Sequence, residues 1–138
     1  MSEELGTGRL ELFSDGVFAI AVTLLVLELR VPLPGALADG STLREALWQE
    51  WPTYLAFATS FATFLIAWVN HQNLFRLIAR VDHTFLLLNG LLLATITFIP
   101  FPTHVLAEYL REPGPRTAAV FYVGSFLVMA LAFNLLWH

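Results

Sequence analysis

Three ionisable side chains, a guanidinium, a carboxylate and an imidazole, lie within or beside long apolar segments of this chain. Arg9 and Asp15 come just before the apolar run 17–27, and His71 follows a second apolar run. An ionisable group at membrane depth is energetically costly and usually has both a partner and a function. Arg9 and Asp15 are six residues apart, too far for a direct pair on one helix face, so each needs a partner elsewhere.

The composition predicts an integral membrane protein. The chain has 138 residues, of which 57% are hydrophobic and 13% are charged, whereas a soluble domain has about 25% charged residues. A helical span needs about 20 apolar residues, so this length accommodates four helices joined by short connections. The chain has no Lys and a net charge of −4, which argues against a polybasic lipid site or a nucleic-acid surface. The absence of Cys excludes disulfides and thiolate metal sites.

We predict an all-α membrane protein with one transmembrane domain over residues 1–138. The expected helices cover about 8–30, 52–75, 83–99 and 117–137. Proline positions set several of these bounds, because proline disfavours helical geometry in the residue before it and suits a first helical turn. Pro100 and Pro102 are accordingly expected to end the third span. The acidic start, Met1–Glu4, differs from the basic start of a signal peptide, so we expect the first span to be retained.

One face of the first helix carries a stripe of large apolar residues. Phe13, Ile20, Leu24 and Leu27 lie within about 40° of one line on an ideal helix, and Asp15 points elsewhere. By periodicity alone, the stripe fits an ordinary lipid-facing or core surface. If several copies of the helix met around an axis, the same stripe would form a hydrophobic constriction, which gates a pore by dewetting.

Two motifs resemble those of a known family. Arg9-x-x-x-Phe13-Ser14-Asp15, followed at once by a long apolar helix, resembles the start of the first helix in the transmembrane-protein-175 family of potassium channels. Trp68-x-x-His71 resembles a second motif of that family. Its bacterial subunits have six spans, whereas this chain accommodates four. Either the protein is shorter than those subunits or two peripheral helices follow His138, and we expect the second.

The resemblance also implies roles for individual residues. It places the pore constriction at Ile20, Leu24 and Leu27, and a hydroxyl layer that influences cation preference at Thr23. Without the resemblance, the Thr23 hydroxyl is expected to bond back to the Ala19 carbonyl. The resemblance further implies a structural network that braces the pore helix, formed by Arg9, Phe13, Ser14, Asp15, Trp68 and His71. Asn89 is a further candidate for this network, although simple interhelical bonding also explains it.

The expected function is that of a potassium channel subunit with weak selectivity among monovalent cations. The subunit would form a homotetramer in a bacterial plasma membrane, with K⁺ as the permeant ion and no cofactor. His83, His104 and His138 lack metal-ligand spacing, and no phosphate loop or nucleophile motif occurs, so neither a metal site nor an enzyme is expected. Two alternatives remain: a proton-coupled secondary transporter with Asp15 and His71 as a relay, and a non-conducting membrane scaffold.

Overall fold

The computed structural model is all-helical over the residues that it describes, 6–37 and 40–138. Residues 1–5, which bear on the expectation of a retained first span, lie outside the described residues. Within these described ranges, four helical segments are long and apolar enough to cross a membrane, as predicted. The helices are α1 (Thr7–Leu24), α2 (Leu43–Gln49), α3 (Trp51–Leu77), α4 (His83–Phe98), α5 (Pro100–Tyr109) and α6 (Arg116–Trp137).

The first span consists of α1 and a 3₁₀ turn that continues it. Leu25 retains helical backbone angles, so the span continues over Leu25–Glu28. Leu29 is extended (φ −75°, ψ 111°), which ends the helix two residues before Arg30. In the loop that follows, Thr42 and Glu45 form a reciprocal capping box that starts the short helix α2.

The third span differs from the prediction at Pro100 and Pro102. These prolines do not end the span, since α4 and α5 follow one another and together form the segment His83–Tyr109. Ile99 between them keeps helical angles, and its N–H bonds to the Ile96 carbonyl at 3.2 Å. Proline lacks an N–H but suits the first turn of a helix, where that donor would be unpaired anyway. The prolines therefore divide the span into two helices.

Buried hydroxyl groups join α5 to its neighbours just beyond this division. The Thr103 hydroxyl donates to the Ile99 carbonyl (2.9 Å), so it accepts from Ser60 Oγ (2.8 Å). Ser60 Oγ in turn accepts from the Tyr122 hydroxyl at 2.8 Å. Each group has a partner, as buried polar groups require. The chain of bonds connects α3, α5 and α6.

The packing leaves α1 at one side of the helix group. α1 packs against α3 and α4, and the 3₁₀ turn after it contacts α3 and α5. α6 packs against α4 and α5. The apolar core includes Phe18, Ala21 and Leu25 from the first span and Leu92 and Ile96 from α4. Only one face of the first span therefore contributes to the core.

Candidate functional site

The predicted constriction residues lie on the exposed face of the first span. Ile20 is 64% exposed, Leu24 41% and Leu27 72%, and Phe13 on the same line is 64% exposed. The opposite face is buried and consists of Ser14, Phe18, Ala21 and Leu25. This i, i+4, i+7, i+11 spacing is that of a helix with one packed stripe. The branched apolar residues thus form a surface that nothing in residues 6–37 and 40–138 covers.

Thr23 lies on the exposed side, and its hydroxyl bonds to its own helix. Oγ1 donates to the Ile20 carbonyl at 2.8 Å, so the expected bond to the Ala19 carbonyl is replaced by one three residues back. A hydroxyl has one donor and two acceptor lone pairs. Because the donor is used within the helix, Thr23 offers only oxygen lone pairs outward.

A buried chain of neutral hydrogen bonds connects α1, α3 and α4. The Ser14 hydroxyl donates to the Leu10 carbonyl (2.8 Å), so it accepts from Asn89 Nδ2 (3.0 Å). Asn89 Oδ1 must then accept, and His71 Nε2 donates to it at 2.8 Å. Because the Leu10 carbonyl can only accept, it sets the direction of each bond in this chain. His71 therefore carries a proton on Nε2. We call Ser14, Asn89 and His71 the buried brace.

Aromatic rings surround the imidazole of the buried brace. His71 is fully buried, with ring centroids 5.3 Å from Phe18, 4.6 Å from Phe75 and 6.3 Å from Phe133. Its Nδ1 has no hydrogen-bond partner among the described residues. The enclosure holds the imidazole in one orientation, because interiors are close-packed and resist volume changes.

Asp15 forms a separate set of bonds. Its Oδ1 accepts from Trp68 Nε1 at 3.0 Å and from Gln72 Nε2 at 2.7 Å. Both donors are neutral, and no bond joins Asp15 to His71. Arg9 is exposed and belongs to neither set within residues 6–37 and 40–138. The predicted network is therefore divided into two sets, with Arg9 and the exposed Phe13 outside both.

Sequence reasoning placed Asn89 only as a candidate and gave Gln72 no role. Asn89 is central to the buried brace, and Gln72 makes the shorter of the two bonds to Asp15. Gln72 follows His71 directly, so its position on the same helix end was the available signal. For Asn89, the signal was an amide side chain within an apolar run, because such a polar group needs a hydrogen-bond partner.

A charged cluster at the other end of the first span was not predicted. The Glu28 carboxylate pairs with His104 Nδ1, and Arg30 bonds to His104 Nε2 (3.0 Å) and to Glu108 (3.1 Å). Arg30 and His104 are 74 residues apart in sequence, so no local pattern could reveal the contact. We call Glu28, Arg30, His104 and Glu108 the end cluster. No group of three or more His, Cys, Asp or Glu side chains suited to a metal ion occurs in the described part of the chain.

Comparison with known proteins identifies relatives across most of the chain. The family model described as the endosomal/lysosomal potassium channel TMEM175 matches residues 9–100. A potassium channel of Chamaesiphon minutus is 56% identical over 135 residues, which cover 98% of this chain and 66% of that protein. A potassium channel of Streptomyces collinus is 48% identical over 133 residues, covering 95% of this chain and 63% of that protein.

A more distant relative and a solved structure also match nearly all of this chain. A human protein described as an endosomal/lysosomal proton channel is 32% identical over 140 residues, covering 98% of this chain and 28% of that protein. The crystal structure of a lysosomal potassium-selective channel TMEM175 homolog from Chamaesiphon minutus matches with a TM-score of 0.91 at 56% identity. The match covers 95% of this chain and 69% of that one. The chain spans roughly two thirds of the length of the two bacterial relatives, 66% and 63%.

Proposed function

The chain belongs to the TMEM175 family of membrane proteins, and from this premise we propose that it is a subunit of a potassium channel. The bacterial relatives are described as potassium channels, and the matching crystal structure as potassium-selective. The chain itself is a multi-pass integral membrane protein with four candidate spans. A path for K⁺ along the first span agrees with the descriptions of the relatives and gives a role to the exposed apolar surface of this span.

The exposed apolar stripe of the first span is the observation that carries the proposal. Ile20, Leu24 and Leu27 are exposed on one line, while the other side of the same helix is fully packed. When copies of this stripe face one another across an axis, branched side chains narrow the path and exclude water. Ions then pass only when the rings of side chains move apart.

A closed path requires several subunits. A single first helix forms one wall, so the mechanism needs copies of the chain arranged around an axis. We propose a homotetramer, which places four copies of each stripe residue in a ring. Closed rotational symmetry is the usual arrangement of homo-oligomers.

Thr23 supplies the oxygen layer of the proposed pore. Its donor is used by the Ile20 carbonyl, so its lone pairs are the groups available to a dehydrating cation. Hard monovalent cations are coordinated by oxygen, and the number of such oxygens affects selectivity. This arrangement supports a weak preference for K⁺ at Thr23, next to the apolar rings.

The alternative of a proton-coupled transporter requires a relay between Asp15 and His71. Asp15 bonds to Trp68 and Gln72, and His71 bonds to Asn89 instead. Recording from the purified protein in planar bilayers separates the possibilities. Unitary K⁺ current steps without a pH gradient are expected of a channel. Flux that saturates and follows a pH gradient, without unitary steps, would indicate the transporter, and no flux would indicate a scaffold.

A further inference from the structure

The end cluster joins the last turn of the first span to α5. Glu28 ends the 3₁₀ turn and pairs with His104 of α5. Arg30, two residues later, contacts both His104 and Glu108 of the same helix. The helix that carries the proposed constriction is thus tied to α5 through the His104 imidazole and the Glu108 carboxylate.

The hydrogen bonds determine where the proton of His104 lies. A guanidinium has only donors, so Arg30 donates and His104 Nε2 accepts. The remaining nitrogen, Nδ1, therefore carries the proton and donates to Glu28. This is the geometry of a neutral imidazole with both nitrogens partnered.

Protonation of His104 would affect its two partners in opposite ways. An imidazolium has two N–H donors and no acceptor, so it cannot accept from Arg30 and repels that cation. The same charge strengthens the pair with the Glu28 carboxylate. Arg30 would then retain only Glu108, which it contacts at 3.1 Å.

His104 shares a cavity with several other ionisable groups. The cluster borders a cavity of 220 Å³. Its ionisable lining comes from the end of the first span, the start of α3 and the end of α5, and consists of Glu28, Arg30, Glu50, His104, Glu108, Arg111 and Glu112. Four carboxylates and two guanidinium groups thus lie in this lining together with His104.

We propose that His104 is a positioning residue whose protonation state sets how the end of the first span is held on α5. Neutral His104 gives the Arg30 segment two contacts on α5, whereas protonated His104 leaves it only the contact with Glu108, so the segment is held more loosely while Glu28 stays paired. Histidine is the side chain that ordinarily changes charge between pH 5 and 8. The effect on conduction rests on the proposed channel function, whereas the movement of the segment does not.

Thiol modification tests this movement without measuring current. The chain has no Cys, so Val31→Cys reports on the segment after Arg30 and Leu77→Cys, at the opposite end, corrects for the pH dependence of the thiol itself. The two side chains have similar exposure, 77% and 72%. From pH 8 to pH 5.5, we expect the corrected rate at Val31→Cys to rise about two- to fivefold, the range of an exposed ion pair. Leu33→Cys is a second reporter if Val31→Cys assembles poorly.

Two histidine variants make the test specific. In His104→Gln, which cannot titrate, the acid-induced rise should disappear, whereas His83→Gln at the start of α4 should retain it. An unchanged rise in His104→Gln, or no rise in the otherwise unmodified protein, would overturn the inference. K⁺ currents from the same preparations should depend on pH in a way that His104→Gln abolishes. Absence of current with the thiol response intact would contradict the proposed function and support the positioning role.

Discussion

The two ends of the first span are held to the rest of the protein by opposite kinds of contact. Near its start, Ser14 belongs to the buried brace, in which every bond joins neutral groups. At its end, Glu28 and Arg30 belong to the end cluster, in which charged, partly exposed side chains contact one another and the His104 imidazole. Buried neutral bonds are insensitive to salt, whereas exposed ion pairs are screened and weak. The comparison indicates a helix that is fixed at one end and adjustable at the other.

The largest effect is expected from removing the centre of the buried brace. Asn89→Leu leaves His71 Nε2–H without its acceptor in a fully buried site. An unsatisfied buried donor costs about 1–3 kcal/mol, so the unfolding temperature and the yield of the oligomer should both fall. Thermal unfolding followed by size-exclusion chromatography measures both quantities.

Asn134→Leu provides the matched control for this substitution. Asn134 is an exposed asparagine on α6, so the same chemical change there should leave stability nearly unaltered. If Asn89→Leu were as stable as Asn134→Leu, the buried brace would not be what fixes this end of the helix.

The proposed constriction lies between the two ends and should respond to a polar substitution. Ile20→Asn places an amide in the proposed apolar ring, which favours entry of water into the pore. We expect basal current to rise by about tenfold, equivalent to about 1.4 kcal/mol, and Na⁺ to permeate more readily. Planar-bilayer recording under mixed K⁺ and Na⁺ gives both quantities.

Val120→Asn is the control for the polar change, because Val120 on α6 has the same 64% exposure as Ile20. Its current and ion preference should match those of the unmodified protein. Equal currents in Ile20→Asn and Val120→Asn, both correctly assembled, would show that Ile20 does not form the gate.

The sequence predicted the spans well and the contacts between them only in part. Four apolar segments follow directly from composition, because each span must satisfy its own backbone in lipid. The predicted end of the third span at Pro100 and Pro102 was wrong, because a new helix can begin at a proline and continue the span. Motifs on one helix, such as Trp68 and His71, were identifiable. Contacts between helices were harder to predict, because a pair such as Asn89 and Ser14 depends on how α4 packs on α1.

The end cluster shows the limit of local patterns most clearly. Sequence reasoning gave Glu28 no role and interpreted His104 only as a histidine without metal-ligand spacing. Glu108 lies four residues after His104, but nothing on that segment indicates Glu28 or Arg30 as a partner. The contact arises only because α5 continues the third span past Ile99 and brings His104 beside the first span. A prediction that ended this span at Pro100 therefore had no way to place His104.

A smaller effect is expected at Asp15, which lies near the fixed end but outside the buried brace. Removing one partner of a buried ion pair costs about 3–5 kcal/mol, but the partners of Asp15 are the neutral donors Trp68 and Gln72. Asp15→Asn retains an acceptor oxygen and loses only the charge-assisted part of each bond, so we expect a loss of about 1 kcal/mol. Thermal unfolding of Asp15→Asn and Gln72→Leu should give similar, modest decreases. A decrease as large as that of Asn89→Leu would mean that Asp15 has a charged partner in the assembled protein.

The smallest effect is expected at the adjustable end and should depend on salt. Glu108→Gln removes one of the two contacts of Arg30 in a site where the side chains are 55% and 49% exposed. Exposed ion pairs contribute at most about 1 kcal/mol to stability. At 1 M salt the Debye length is about 3 Å, so the attraction within such a pair is largely screened. Thiol modification at Val31→Cys should therefore accelerate in Glu108→Gln at low salt, and this difference should vanish at 1 M KCl. The unfolding temperature should change little in either condition, because the buried brace is unaffected. A salt-independent loss of stability in Glu108→Gln as large as that of Asn89→Leu would mean that both ends of the helix are equally fixed, and the contrast between them would fail.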